Sequence, residues 1–174
     1  MDQVTASAKK IKLLLLDVDG VMTDGRVVCG AGGGELKSFD INDGFGIVLI
    51  KRAGLKTAIL TAKNSPIVRR RAKDLKIDRV YGDFHYKIRA LDSIKKVFKV
   101  ALDEICFVGD DLVDIPLLKR VGLAVAVPNA VEEVKKCAHF ITRKEGGRGA
   151  VREVCEFILK SQGKWERVTA CYFE

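Results

Sequence analysis

Charged and hydroxyl side chains follow directly on short apolar runs at four places in the chain. Asp17 and Asp19 close the run in LLLLDVDGVMTDG, residues 13 to 25, and Thr61 follows KTAIL. Lys87 comes soon after RVYG, and Asp110, Asp111 and Asp114 follow EICFVG. Taken singly, Thr61 and Asp114 read equally well as helix caps and Lys87 as a solvated lysine. Taken together, the carboxylates would repel one another unless a cation stood between them. Hard oxygen ligands with room for water suit Mg²⁺, commonly held by one or two carboxylates together with a substrate phosphate. Beside such an ion a carboxylate can attack phosphorus and form an aspartyl-phosphate. Lys87 and Thr61 would then neutralise and orient the phosphoryl oxygens.

For that chemistry the four segments must meet at one edge of the fold. Short β-prone runs at 12–16, 56–60, 79–82, 104–109, 123–127 and 139–142 alternate with helical patterns at about 43–53, 65–75, 86–99, 113–121, 131–137 and 148–162. That alternation predicts an α/β fold, a Rossmann-like three-layer sandwich with a central parallel sheet. In KIRALDSIKKVFKV the apolar residues Ile88, Leu91, Ile94, Val97 and Phe98 recur at three- and four-residue steps, one buried helix face. LLLL reads as a central strand, because parallel strands covered on both faces are continuously hydrophobic. Ligands in such sheets bind at the carboxyl ends of the strands, so the strand carries Asp17 to the functional edge. Residues 26–40 break the alternation: two short β-prone runs flank a glycine-rich turn, which predicts a hairpin projecting from the sheet. Asp24 falls in the turn that leads into it.

At 174 residues the chain suits a single domain, 1–174, with a core over about 11–163 and disorder confined to the two ends. With 48% hydrophobic and 31% charged residues, the composition is that of a globular protein, which excludes fibrous and wholly disordered classes. No apolar stretch is long enough to span a bilayer and the first ten residues lack a secretory core, so the expected location is cytoplasmic. Five scattered cysteines without paired spacing read as reduced thiols. The net charge of +8 raises a nucleic-acid-binding module as an alternative, but the basic residues are spread along helices with little aromatic interleaving. A solvated basic surface that attracts small anions fits better, so no nucleic acid and no membrane is expected as a partner.

DVDGVMTDG, ILTAK, the single Lys87 and VGDDLVD stand in the order and context of the four motifs of the haloacid dehalogenase-like phosphohydrolases, which the chain resembles. From about residue 11 to 165 it further resembles, within that superfamily, the phosphatases of 3-deoxy-D-manno-octulosonate 8-phosphate (Kdo-8-phosphate), which serve lipopolysaccharide precursor synthesis. DGVMTDG, GELKSFDINDGFGI and GGRGAVREVCEFILKSQGKW carry that likeness. It implies a capless haloacid dehalogenase-like fold, with Asp17 as nucleophile and Asp19 as general acid and base. The Asp17 side chain, the Asp19 backbone carbonyl and the Asp110 side chain would hold Mg²⁺. Thr61 and Lys87 would bind the phosphoryl group, and Asp111 and Asp114 would orient Lys87 or metal-bound water. The hairpin would build a homotetramer, and Arg148 of the GGRG segment would meet the sugar acid's carboxylate across a subunit boundary. Where the family usually reads Gly-Arg after the threonine, this chain has Ala62 and Lys63, and Asn42 stands where Arg often precedes Asp-Gly. Lys63 keeps a substrate-facing charge but lacks the planar guanidinium. Four other readings stand beside this one: a nine-carbon keto-deoxy sugar acid 9-phosphate as substrate, phosphotransfer or mutase chemistry on the same motifs, a receiver-like domain, and the nucleic-acid module. The tail VTACYFE, 168–174, lies outside the resemblance.

Overall fold

The apolar runs become strands in a computed structural model of the chain, which describes residues 3–30, 32, 34–63 and 65–174. In chain order the elements are α1 (Gln3–Lys10), β1 (Leu13–Leu16), β2 (Val28–Cys29), β3 (Glu35–Leu36), α2 (Ile41–Arg52), β4 (Lys56–Leu60), α3 (Pro66–Asp74) and β5 (Arg79–Tyr81). They continue with α4 (Leu91–Phe98), β6 (Ile105–Gly109), α5 (Ile115–Leu118), β7 (Leu123–Ala126), α6 (Glu132–Lys135), β8 (Phe140–Ile141), α7 (Ala150–Ser161) and α8 (Trp165–Thr169). Single 3₁₀ turns at Lys87–Ala90 and Leu112–Asp114 open the segments leading into α4 and α5.

Six strands form one parallel sheet in the order β5-β4-β1-β6-β7-β8, flanked by helices. Leu13 to Leu16 are all fully buried, as a strand covered on both faces must be. β1 lies between β4 and β6, pairing Leu16 with Ile59 on one side and Val108 on the other. The chain passes to one side of β1 for β4 and β5 and to the other for β6, β7 and β8. The carboxyl end of β1 is therefore the topological switch point, where an open α/β sheet leaves a crevice.

On one side α2 packs on α7, and α7 on α1. Asp40 caps α2, accepting hydrogen bonds from the backbone N–H groups of Asn42 (2.6 Å) and Asp43 (3.1 Å). Gly46, costly in a helix interior on propensity alone, has its reason here: a Cβ would lie 3.0 Å from the Arg152 backbone of α7. The expected hairpin is a small separate sheet, β2 antiparallel to β3, with Val28 opposite Leu36 and Cys29 opposite Glu35. Two positions of its glycine-rich turn, 31 and 33, lie outside the described residues, as do 1 and 2.

Both ends carry structure where disorder was expected. Helix α1 is short and polar, but it buries Ala8. The Gln162 side-chain amide donates to the carbonyls of Ala8 (3.0 Å) and Ile11 (2.8 Å), tying α1 to the end of α7. At the other end α8 buries Val168 and Thr169, and the Tyr172 ring meets Phe45 edge-on at 5.4 Å. Neither helix has the long apolar stripe that announces itself in a sequence, and each is held by a few tertiary contacts instead.

Candidate active site

The backbone leaving β1 turns immediately into a tight loop. Thr23 Oγ1 accepts from Gly25 N (3.2 Å), Asp24 Oδ1 accepts from Arg26 N (3.1 Å), and Gly20 takes a left-handed φ of +88°. No side chain fits at Gly20, since its Cβ would overlap the Asp110 carboxylate. The glycine thus brings the loop after β1 against the loop after β6.

Three of the predicted groups form a buried charge cluster. Lys87 Nζ lies 2.8 Å from Asp17 Oδ2 and donates to Asp114 Oδ1 at 2.6 Å, with all three side chains nearly or wholly inaccessible. Asp114 Oδ2 accepts from the backbone N–H groups of Asp110 (2.9 Å) and Asp111 (3.2 Å). Burial pulls the Lys87 ammonium down, but Asp17 and Asp114 outweigh it, and its pKa stands above the ordinary lysine value. Burial pushes the Asp17 carboxyl up, and the Lys87 charge offsets only part of that. Asp110 is pushed up more, first by burial and then by the neighbouring Asp17 and Asp114.

Carboxylate oxygens of Asp17, Asp110 and Asp114 lie within 4.8 Å of one another. The two oxygens of Asp114 are taken by Lys87 and two backbone donors, so its role is to hold Lys87 and the loop after β6. Asp110 Oδ1 is buried and has no hydrogen-bond partner. An orphaned acceptor beside a second raised carboxyl is what a divalent cation would relieve. Asp17 and Asp110, with the backbone carbonyl of Asp19, are the oxygens that could hold it, and the donor set suits Mg²⁺.

Asp17, Asp19, Thr61, Lys63, Lys87, Asp110 and Asp111 line a cleft of about 270 Å³, together with Gly25, Ala62 and Val113. Thr61 is buried at the end of β4, where its Oγ1 accepts from Lys63 N (3.3 Å). Asp111 caps the 3₁₀ turn through Oδ1, which accepts from Leu112 N at 2.7 Å, and makes no contact with Lys87 in the hydrogen bonds described. Arg148 lies outside this cleft, exposed, 3.7 Å from Glu145, beside a separate hollow bordered by Asp24, Ser38 and Asp40. A larger groove of about 650 Å³ runs along α7, but none of the cluster's carboxylates line it.

Sequence reasoning missed several residues that shape the site. Lys37, just after β3, has an almost wholly inaccessible side chain that pairs with both Asp19 and Glu35. Burial lowers its affinity for a proton, but those two carboxylates more than restore it. Glu35 also pairs with Lys63. Asn129 donates through Nδ2 to Gly20 O (2.8 Å) and accepts at Oδ1 from Gly146 N (2.8 Å), tying the loop after β1 to the GGRG segment. Asp43 receives the backbone N–H groups of Arg152 (2.8 Å) and Gly149 (3.4 Å) at the start of α7. Asn129 carried a signal of its own, a polar residue following the run LAVAVP at the same sheet edge; Glu35, Lys37 and Asp43 lie in GELKSFDINDGFGI, a segment that carried the likeness without marking their roles.

The pattern that defines haloacid dehalogenase-like hydrolases matches residues 62–154. The 3-deoxy-D-manno-octulosonate 8-phosphate phosphatase KdsC of Escherichia coli K12 is 41% identical over 161 residues, covering 92% of this chain and 86% of that protein. The crystal structure of the 3-deoxy-D-manno-octulosonate 8-phosphate phosphatase from Moraxella catarrhalis, in complex with magnesium ion, phosphate ion and KDO, is 38% identical. It superposes with a TM-score of 0.96 over 99% of both chains. The corresponding phosphatase structure from Yersinia pestis is 40% identical, with a TM-score of 0.93 over 95% of this chain and 89% of that one.

Proposed function

Because this chain belongs to the haloacid dehalogenase-like hydrolase family, we propose that it is a Mg²⁺-dependent phosphomonoesterase that hydrolyses Kdo-8-phosphate to Kdo and inorganic phosphate in the cytoplasm. The observation that carries the reading is the meeting of Asp17, Lys87 and the orphaned Asp110 oxygen at the switch point of the sheet. The likeness to proteins named for that substrate supplies its identity.

Asp17, the Asp19 carbonyl and Asp110 would hold the Mg²⁺, which supplies charge neutralisation for the phosphoryl oxygens. Lys87 engages Asp17 Oδ2, and one Asp17 oxygen would attack phosphorus while the ester P–O bond breaks. The Asp19 carboxyl gives its proton to the departing sugar oxygen. It then accepts one from the water that hydrolyses the aspartyl-phosphate. Lys87 shares the charge of the phosphoryl oxygens and Asp114 keeps its ammonium in place. Thr61 offers a hydroxyl at the end of β4, and Lys63 a cation at the mouth of the cleft.

The reading extends to assembly: a homotetramer built through the hairpin, with Arg148 reaching a neighbour's substrate. Exposed apolar side chains on and beside the hairpin support it, with Val28 55%, Leu36 66% and Ile41 83% accessible in the isolated chain. The decisive experiment is a phosphate-release screen across sugar acid phosphates with Mg²⁺. Kdo-8-phosphate is expected to lead; a clear preference for a nine-carbon 9-phosphate would reassign the substrate, and transfer to added alcohols without net phosphate release would refute hydrolysis.

A further inference from the structure

The Lys37 side chain is almost wholly inaccessible, with 1% of it exposed, yet it sits on the projecting hairpin, where a lysine would ordinarily point into water. Its ammonium pairs with Asp19 Oδ1 and lies 3.2 Å from Glu35 Oε1. Glu35 Oε2 in turn pairs with Lys63, which lines the cleft. Asp19, Lys37, Glu35 and Lys63 thus form an alternating chain of charges that joins two residues lining the cleft through the hairpin.

A buried ammonium is costly unless paired, and it persists where its partners are fixed. The Asp19 carboxylate is itself more than one-third exposed and projects from a loop, and among the described residues Lys37 is the side chain that pairs with it. We propose that Lys37 is the positioning residue of the acid/base carboxylate: it holds Asp19 through Oδ1 and thereby presents Oδ2 to the reacting atoms, with Glu35 fixing Lys37. The inference rests on the phosphatase reading and assigns to the hairpin a part in the reaction within its own subunit. In the step concerned, Asp19 is in its protonated form, accepting from Lys37 at Oδ1 and carrying the proton on Oδ2; an Asp17 oxygen bonds to phosphorus, the ester P–O bond breaks, and that proton passes to the leaving oxygen. A misaligned Asp19 therefore harms departure of a basic alkoxide far more than departure of a stabilised phenolate, which leaves without a proton.

The test compares kcat/KM, which reports events up to formation of the aspartyl-phosphate, for Kdo-8-phosphate and for p-nitrophenyl phosphate. Lys37→Met is expected to lower the value for the sugar phosphate at least about ten-fold more than for the aryl phosphate, within the range of a general-acid contribution. Lys37→Arg, which keeps the charge but alters the donor geometry, is expected to show the same selective loss in milder degree. In an Asp19→Asn background Lys37→Met should add nothing. Equal losses on both substrates in the two Lys37 variants, or full additivity with Asp19→Asn, would overturn the proposal and leave Lys37 a structural ion pair. Wild-type enzyme inactive on both substrates, or Asp17→Asn active, would instead bring down the phosphatase reading beneath it.

Discussion

Asp43 brings an ionisable group into the contact between α2 and α7, where burial pushes its carboxyl up to about 6 against the helix N–H groups that favour the anion. With the folded value above the unfolded one, the native state binds more protons than the unfolded chain between those two values. Stability is therefore fullest below about pH 4 and falls as pH rises to about 6, by on the order of 3 kcal/mol for this group. Asp43→Asn should remove that share of the slope in urea titrations run from pH 4 to 7; an unchanged slope would clear Asp43 of the effect. At the cleft, Lys87→Met leaves Asp17 and Asp114 buried without their shared cation, and breaking a buried pair costs about 3–5 kcal/mol. The variant should melt earlier as well as lose phosphate release, whereas Asp17→Asn should lose turnover while keeping the fold. The positions of Asp17, Asp110 and Lys87 were legible because each follows a run that can only be a strand or opens the next helix. Lys37 and Asp43 were not, because a sequence does not say which charged side chains the tertiary fold will bury.

Strands read more clearly than helices here. LLLL, KTAIL and ICFVG have the continuous hydrophobicity that double-sided burial demands, and their assigned limits agree with the prediction to within a residue. Helix boundaries moved where capping decided them: α2 begins at Ile41 because Asp40 caps it, ahead of the expected 43. The segment expected as one helix over 113–121 is a 3₁₀ turn followed by a four-residue α5, since Asp114 is drawn inward to Lys87. The close approach of α2 and α7 gives Gly46→Val a definite cost. Overpacking against the Arg152 backbone should destabilise by about 1–3 kcal/mol, read as a lower urea midpoint at unchanged slope. An unchanged midpoint would mean that the two helices can separate freely. The hairpin is a two-residue pairing on each side and cannot stand alone. Its deletion should leave monomers or dimers by light scattering, and a surviving tetramer would remove its proposed role in assembly.

At the scale of the molecule, the sheet order brings the proposed reacting groups together at the end of β1, and a cation held by the carboxylates there would be a stabilising ligand of the fold. Mg²⁺ at about 100 times its dissociation constant should add about 2.7 kcal/mol, which for a chain of this size is roughly 5–10 °C in Tm. Chelation should reverse the gain. Asp110→Asn should abolish it while raising the metal-free Tm, because the repelling charge is gone. A Tm indifferent to Mg²⁺ in the wild type would contradict the assignment of those oxygens to a cation. In the proposed reaction phosphorus passes through Asp17. The direct test is acid quenching during turnover of Kdo-8-phosphate with Mg²⁺, followed by borohydride reduction, which converts an acyl-phosphate aspartate to homoserine, and mass spectrometry of the peptide spanning residues 13–25. Homoserine at position 17, dependent on substrate and absent from Asp17→Asn, is the predicted result. Homoserine at another aspartate, or none at position 17 while phosphate is being released, would contradict it.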